Sequence, residues 1–425
     1  MNQTENLRSI LLHSKMNVEY FKDIIPGNIY DCKGYDLIDL FEELPVTEKS
    51  IIKQNILSFI NDGLKSDLGP VVNFSRDYNR EYYYNLSYGE IVLEYTTGTS
   101  GMPFFTVKTV KERLMLGRYL WKFRNEVKKI NKIDFFNFLH CFNNGGYPFP
   151  FEEVGDYNEL LILELRHLMR HKFAWWHINA ELLNQYANAI NVNNLSFDDL
   201  KIDVIENNGA YISDEEKIEF SKLFNCNIVD NYGCRELWCI GFDCIEGEMH
   251  VNEDCVYFEL VNDQNEVIYK PNIIGKVLIT SLRQKSMPYI RYDLGDIAYY
   301  LPGECKCGRK TKRIRVLPGR HMIVGTNIYG NKLFREVMLH LTLERGISKF
   351  YSINIMQVAL YSFNVYVSGN QENSHLLESE FTSYARKKLN SREYNFNFIY
   401  DEKVKLKSIF NISHLLKDTA SFQLK

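Results

Sequence analysis

The stretch that most constrains this chain is Tyr95-Thr96-Thr97-Gly98-Thr99-Ser100-Gly101-Met102-Pro103. Positions 96 to 101 hold only hydroxyl residues and glycine. Ile91-Val92-Leu93 leads in and Phe104-Phe105-Thr106-Val107 leads out, which reads as strand, tight loop, strand. Such a loop suits an anion, because glycine admits close backbone approach and N–H and hydroxyl groups supply donors. It is equally the composition of a polar hairpin. It is not a Walker loop, since no Gly-Lys-Ser/Thr ends it. Thr109 and Glu112 have capping-box spacing, and Leu116, Leu120, Phe123 and Val127 continue at helical period, so a helix is expected next.

At 425 residues the chain is too long for one ordinary core. The pattern predicts mostly helix up to about residue 90. Strands and helices then alternate: Phe135–His140 reads as a buried strand, 159–190 as two helices around Phe173-Ala174-Trp175-Trp176, Asp203–Glu206 as a strand. Ser213–Phe224 reads as a capped helix and Asn227–Asp230 as a strand. From about 248 short strands crowd together (Val256–Val261, Val277–Thr280, Ile297–Leu301), which predicts a β-rich subdomain. The composition changes again near Pro318-Gly319-Arg320. Beyond it, strands at Tyr351–Ile355 and Phe363–Val367 and a helix at 375–389 predict a small α+β domain. The expected architecture is α/β: a large domain, 1–318, of α/β layers plus a β-rich subdomain, and a small mobile domain, 319–425.

A net charge of −4 gives no reason to expect nucleic acid. No apolar run reaches the ~20 residues that span a bilayer. The amino terminus does not read as a leader peptide, and nine cysteines suggest reduced thiols or metal ligands. The expectation is a cytoplasmic protein, monomer or homodimer, with no membrane partner.

Four further stretches carry chemistry. In Tyr232-Gly233-Cys234-Arg235-Glu236 a ring and a glycine fit a flat base and a carboxylate fits Mg²⁺, although Tyr-Gly turns are common. In Arg291-Tyr292-Asp293-Leu294-Gly295-Asp296 a carboxylate after a glycine turn fits ribose hydroxyls, or is an Asp-rich turn. Arg320 fits a phosphate or a strand end. Lys405-Leu406-Lys407-Ser408 follows an expected strand, where lysines are usually surface charge. Separately, Cys244, His250, Cys305 and Cys307 make the ligand set of a closed tetrahedral zinc site if the fold joins them; otherwise they are free thiols and a polar strand residue.

The order of these stretches resembles the adenylate-forming superfamily of acyl- and aryl-CoA ligases and adenylation domains. Within it the likeness is to phenylacetate-CoA ligases and related capsular polysaccharide biosynthesis proteins, from about Glu94 to Ile409. The resemblance implies that Thr96, Thr97, Gly98, Thr99, Ser100 and Gly101 hold the β- and γ-phosphates of ATP. It implies that Tyr232 and Gly233 receive adenine, Glu236 ligates Mg²⁺, and Asp296 holds the ribose. Arg320 sits beside ribose or phosphate at a hinge. Gly209 matches the glycine of a Gly-Ala-Glu before the adenine site, although Tyr211 replaces the Glu. Lys407, with Lys405 as competitor, matches the lysine that meets the carboxylate and α-phosphate. Leu406 stands where relatives have Gly, and His321-Met322-Ile323 where the hinge usually has Asp. Cys305-x-Cys307-Gly308 and Cys244-x5-His250 resemble the phenylacetate-ligase branch, supporting structural Zn²⁺. The implied activity is AMP-forming activation of a carboxylic acid, then transfer to a thiol (CoA), amine or hydroxyl; a non-catalytic nucleotide-binding protein is the alternative. Phe135–Pro150 and Trp175-Trp176-His177 lie between ATP motifs, so both either wall the acid pocket or pack the core.

Overall fold

The computed structural model describes residues 3–66, 68, 85–96, 104–129, 131, 136–138, 157–209, 212, 214–262, 264–320, 351–359, 362–369, 374–389, 394–400 and 410–414. Thr97–Gly101, Ala210, Tyr211, Ser213, Lys405 and Lys407 lie outside these, and so do half of the expected strand at 135–140 and the stretch after it up to 150.

The amino-terminal part is helical, with helices at Gln3–Asn17, Glu19–Ile24, Gly34–Glu42 and Lys49–Gln54. A three-stranded antiparallel sheet follows: β1 (Asn85–Tyr88), β2 (Ile91–Thr96) and β3 (Phe104–Thr109). Thr96 and Phe104 face each other as register partners at one end of the β2–β3 pair. The helix Val110–Val127 starts on the expected capping box. The Thr109 hydroxyl accepts from the Glu112 N–H, and the Glu112 carboxylate accepts from the Thr109 N–H. Glu112 also accepts from the Lys285 and Ser286 N–H groups, so a cap fixes a distant loop as well.

Among the described residues the large sheet has ten strands. β4 (Phe136–Phe138), β5 (Lys172–Ile178), β6 (Lys201–Asn208) and β7 (Asn227–Tyr232) are parallel. Helices Tyr157–Met169, Ala180–Val192 and Asp214–Phe224 lie between them in sequence. β8 (Gly241–Asp243), β9 (Met249–Val251), β10 (Val256–Val261), β11 (Gly275–Ser281), β12 (Tyr292–Tyr300) and β13 (Arg313–Arg320) complete the order β10-β11-β12-β13-β9-β8-β7-β6-β5-β4. The expected β-rich subdomain is therefore continuous with the α/β sheet, and pairing turns antiparallel at β7–β8.

Successive strand residues point to opposite faces, and Trp175 and Trp176 show it. Trp176 packs with Tyr186, Ile205, Phe220 and Phe224 under the three later helices. Trp175 packs with Phe123, Val204, Val229 and Phe242, and Leu120 and Val127 of the helix Val110–Val127 join them. Both tryptophans are fully buried, which favours the core reading of this pair over a pocket wall.

Two compact units emerge, changing over after Arg315, with Gly295–Ile297 grouped with the second. In the second unit, β14 (Tyr351–Ala359), β15 (Ser362–Gly369), β16 (Asn395–Tyr400) and β17 (Phe410–His414) order as β16-β15-β14-β17. The helix Ser374–Leu389 buries Leu377, Phe381 and Ala385, and Phe381 packs edge-on against Phe396 and Phe398. No helix among the described residues is long and apolar enough to cross a membrane.

Candidate active site and metal centre

β7 delivers Tyr232, half-buried, at its last position, and the chain then turns sharply through Gly233–Cys239. Trp238 N–H donates to Cys234 O at 2.7 Å, and Ile240 N–H to Tyr232 O at 2.8 Å. Trp238 pays for the tightness with φ +65°, and a Cβ at Gly233 would lie 1.6 Å from Trp238 O. Glycine is thus required here by the turn itself.

Glu236 sits inside this turn, 2% exposed. Its Oε1 accepts from Tyr292 OH at 2.9 Å and pairs with Lys49 Nζ at 3.1 Å. Burial alone would push its carboxyl up; Lys49, a backbone N–H and Tyr292 outweigh that and hold it below the usual carboxylate range.

The β2–β3 hairpin is bound to the same turn by a buried ion pair. Lys108 Nζ lies 2.8 Å from Glu94 Oε2 and donates to Arg235 O at 2.8 Å. Trp238 Nε1 donates to Glu94 at 3.0 Å, and Arg113 pairs with Glu94 at 2.8 Å while covering the Trp238 ring. Against burial, which raises it, Lys108, Trp238 and Arg113 hold the Glu94 carboxyl low. The base of the Thr-rich loop and the Tyr232–Glu236 turn are therefore one assembly.

Arg291-Tyr292 plays a different part from Asp296. Arg291, fully buried at φ +44°, pairs with Glu259 at 3.1 Å and donates to Leu44 O at 2.6 Å. Gly295 and Asp296 lie within β12, not in a turn; Gly295 takes φ +82°, and Asp296 is half-buried. The mixed strand pattern hid this, because a left-handed glycine inside a strand has the sequence of a turn. Gly209 follows the end of β6 at φ +82°, and Arg320 ends β13.

Sequence reasoning missed a second buried knot. Glu206 receives Arg124 Nε at 2.7 Å, Trp175 Nε1 at 2.6 Å and Asn231 Nδ2 at 2.7 Å, with His177 Nε2 at 3.5 Å. Its donors come from one helix and two other strands, so no local spacing betrays it.

The four metal-ligand residues do converge. Cys244 follows β8, His250 lies in β9, and Cys305 and Cys307 sit on the turn before β13, where Gly308 takes φ +81°. Their ligand atoms all lie within 4.8 Å of one another. Cys244 Sγ is 3.6 Å from Cys305 Sγ, and Cys307 Sγ is 3.4 Å from His250 Nε2. The edges of a tetrahedron with zinc bond lengths are ~3.8 Å (S to S) and ~3.6 Å (S to N). Thr311 Oγ1 lies 3.1 Å from His250 Nδ1, an outer partner that would orient the ring. Burial pushes the Cys244 thiol up to about 12, so it is neutral without a metal.

No family model matches the chain. It is 26% identical over 177 residues to the phenylacetate-coenzyme A ligase of Pseudomonas putida, covering 40% of this chain and 39% of that one. The matched stretch thus spans about two-fifths of the curated relative's length. Among solved structures, a 2-hydroxyisobutyryl-CoA ligase in its postadenylation state with R3-HIB-AMP superposes with TM-score 0.63 at 14% identity, over 98% of this chain and 89% of that chain. An acyl acid amido synthetase superposes with TM-score 0.53 at 11% identity, over 94% and 86%. The fold is the one these two solved structures share. Over the matched stretch the sequence is similar to that phenylacetate-coenzyme A ligase.

Proposed function

We propose that this protein activates a carboxylic acid with ATP as an acyl-adenylate and passes the acyl group to an acceptor, the CoA thiol. The observation that supports it most is the buried assembly joining the base of the Thr96–Gly101 loop to the Tyr232–Glu236 turn through Glu94, Lys108 and Trp238. An acid oxygen attacks the α-phosphorus, the bond to the β-phosphate bridge breaks, and pyrophosphate leaves. The acceptor then attacks the acyl carbon and AMP leaves. Thr96, Thr97, Thr99 and Ser100, with the backbone of Gly98 and Gly101, hold the β- and γ-phosphates. Tyr232, Gly233 and Gly209 border adenine and Asp296 the ribose. Arg320 and Lys407, with Lys405 as its competitor, serve the α-phosphate. Bound Mg²⁺ would neutralise charge building on the phosphates, and a buried anionic Glu236 is a fitting ligand for it. The large domain, 1–318, takes ATP and acid, and the small domain, 319–425, is mobile. Solubility in the cytoplasm, as monomer or homodimer, completes the reading.

The test is ATP–pyrophosphate exchange across a panel of aryl and aliphatic acids, followed by CoA, amines and sugars as acceptors. Exchange with one acid class and AMP-forming transfer to CoA are expected. Transfer to an amine alone would favour the amide-forming alternative, which shares this fold. No exchange with any acid despite ATP binding would leave a non-catalytic nucleotide-binding protein.

For Cys244, His250, Cys305 and Cys307 we propose a structural Zn²⁺. All four positions are protein ligands, so none is left for substrate. Purified protein is expected to carry near one zinc per chain, and Cys305→Ser to lose it and melt earlier. A stoichiometry near zero in protein prepared without chelator would reject the site.

A further inference from the structure

The amino-terminal helices contribute no recognised motif, yet they send one charge into the proposed nucleotide site. Thr47 is stitched to the start of β12: its N–H donates to Arg291 O at 2.9 Å, and its carbonyl accepts from Asp293 N–H at 3.0 Å. Arg291 holds the preceding residues through Leu44 O and Glu42 O. Two residues beyond Thr47, Lys49 opens the helix Lys49–Gln54 and reaches Glu236 at 3.1 Å. The Lys49 side chain keeps 29% of its surface in solvent while Glu236 keeps 3%. Tyr292 OH, from the strand that Thr47 is stitched to, meets the same oxygen, Oε1. The lysine is therefore placed by backbone pairing, has room to withdraw, and ends on a carboxylate that another donor can still orient.

We infer that Lys49 is the exchangeable counter-cation of Glu236: it occupies the carboxylate in the nucleotide-free protein and yields it to the divalent metal that arrives with ATP. This rests on the reading of Glu236 as a metal ligand. One buried carboxylate cannot hold a lysine and a divalent ion at full strength, because the two cations repel at a separation of a few ångströms in a poorly screened site. Lys49 is in this sense a positioning residue. It holds the place of the metal on Glu236 Oε1, beside Tyr292 OH, until the metal takes over.

The test is the factor by which Mn²⁺ strengthens binding of α,β-methylene-ATP, measured by calorimetry with Mn²⁺ and with EDTA at pH 8. In Lys49→Met the metal no longer displaces a lysine, so the factor is expected to rise about tenfold. Lys49→Arg, whose guanidinium forks onto a carboxylate, is expected to lower it. Glu236→Gln should bring it near unity in either background. An unchanged or smaller factor in folded Lys49→Met overturns the inference. If that variant does not fold, an unchanged or larger factor in Lys49→Arg overturns it. Failure of every form to bind the analogue would instead sink the nucleotide reading itself.

Discussion

Alanine at position 233 is expected to lower ATP–pyrophosphate exchange by about 100-fold or more. The added Cβ would lie 1.6 Å from Trp238 O and 2.8 Å from the carbonyl carbon. These are backbone atoms, so no rotamer change relieves the clash, and the turn must open. Opening it breaks the 2.7 Å bond from Trp238 N–H to Cys234 O and disturbs three contacts together. Glu236 leaves Tyr292 and Lys49, and the Trp238 indole leaves Glu94. The fold should survive, since the turn lies at the end of β7 and the larger core around Trp176 contains none of its residues, at a cost of about 3 kcal/mol. Gly27→Ala, with nothing within 4 Å of the new Cβ, serves as the neutral control. Wild-type exchange in Gly233→Ala would show that this turn does not position the chemistry.

The same glycine shows what a sequence can and cannot reveal. Gly233 was legible as part of a Tyr-Gly-x-x-Glu motif, but the motif suggested room for a base. The structure adds a purely steric demand from Trp238 five residues on. Features set by neighbours in sequence were readable: the Thr109–Glu112 cap and the strands on either side of the Thr-rich stretch follow from local hydrogen bonding and alternation. The Cys244, His250, Cys305 and Cys307 cluster was readable across some sixty residues because thiols and imidazole in knuckle spacing have few other uses. What stayed hidden has long-range causes. Lys49 lies 187 positions from Glu236 and Arg124 lies 82 from Glu206, and neither has a local signature. Trp175-Trp176 was ambiguous because an aromatic pair in a doubly covered strand buries both faces and so loses the alternation that separates core from pocket. Continuity of the sheet beyond β7 was hidden because short antiparallel strands look alike whether they join an existing sheet or start a new one.

Removing Lys108 alone is expected to destabilise the protein by about 3–5 kcal/mol, because it takes from a buried carboxylate its fully buried counter-ion. Glu94 and Lys108 are both fully buried, from adjacent strands β2 and β3, and lie 2.8 Å apart. In Lys108→Met the Glu94 charge keeps Arg113 and Trp238 but loses its buried counter-ion, so it must take up a proton or draw in water. Adding Glu94→Leu removes the buried charge, and most of the lost stability should return, since an apolar pair of similar size replaces a buried ion pair at little net cost. ATP binding should not return with it. Lys108 Nζ also donates to Arg235 O at 2.8 Å, and that bond carries the position of the Tyr232–Glu236 turn to the hairpin bearing Thr96. The double variant is therefore expected to approach wild type in its urea midpoint while its KM for ATP in exchange stays about tenfold high, the measure of one charge-assisted hydrogen bond. Recovery of both quantities would reduce Glu94 and Lys108 to a packing role, and recovery of neither would mean that the ion pair stabilises by more than mutual neutralisation.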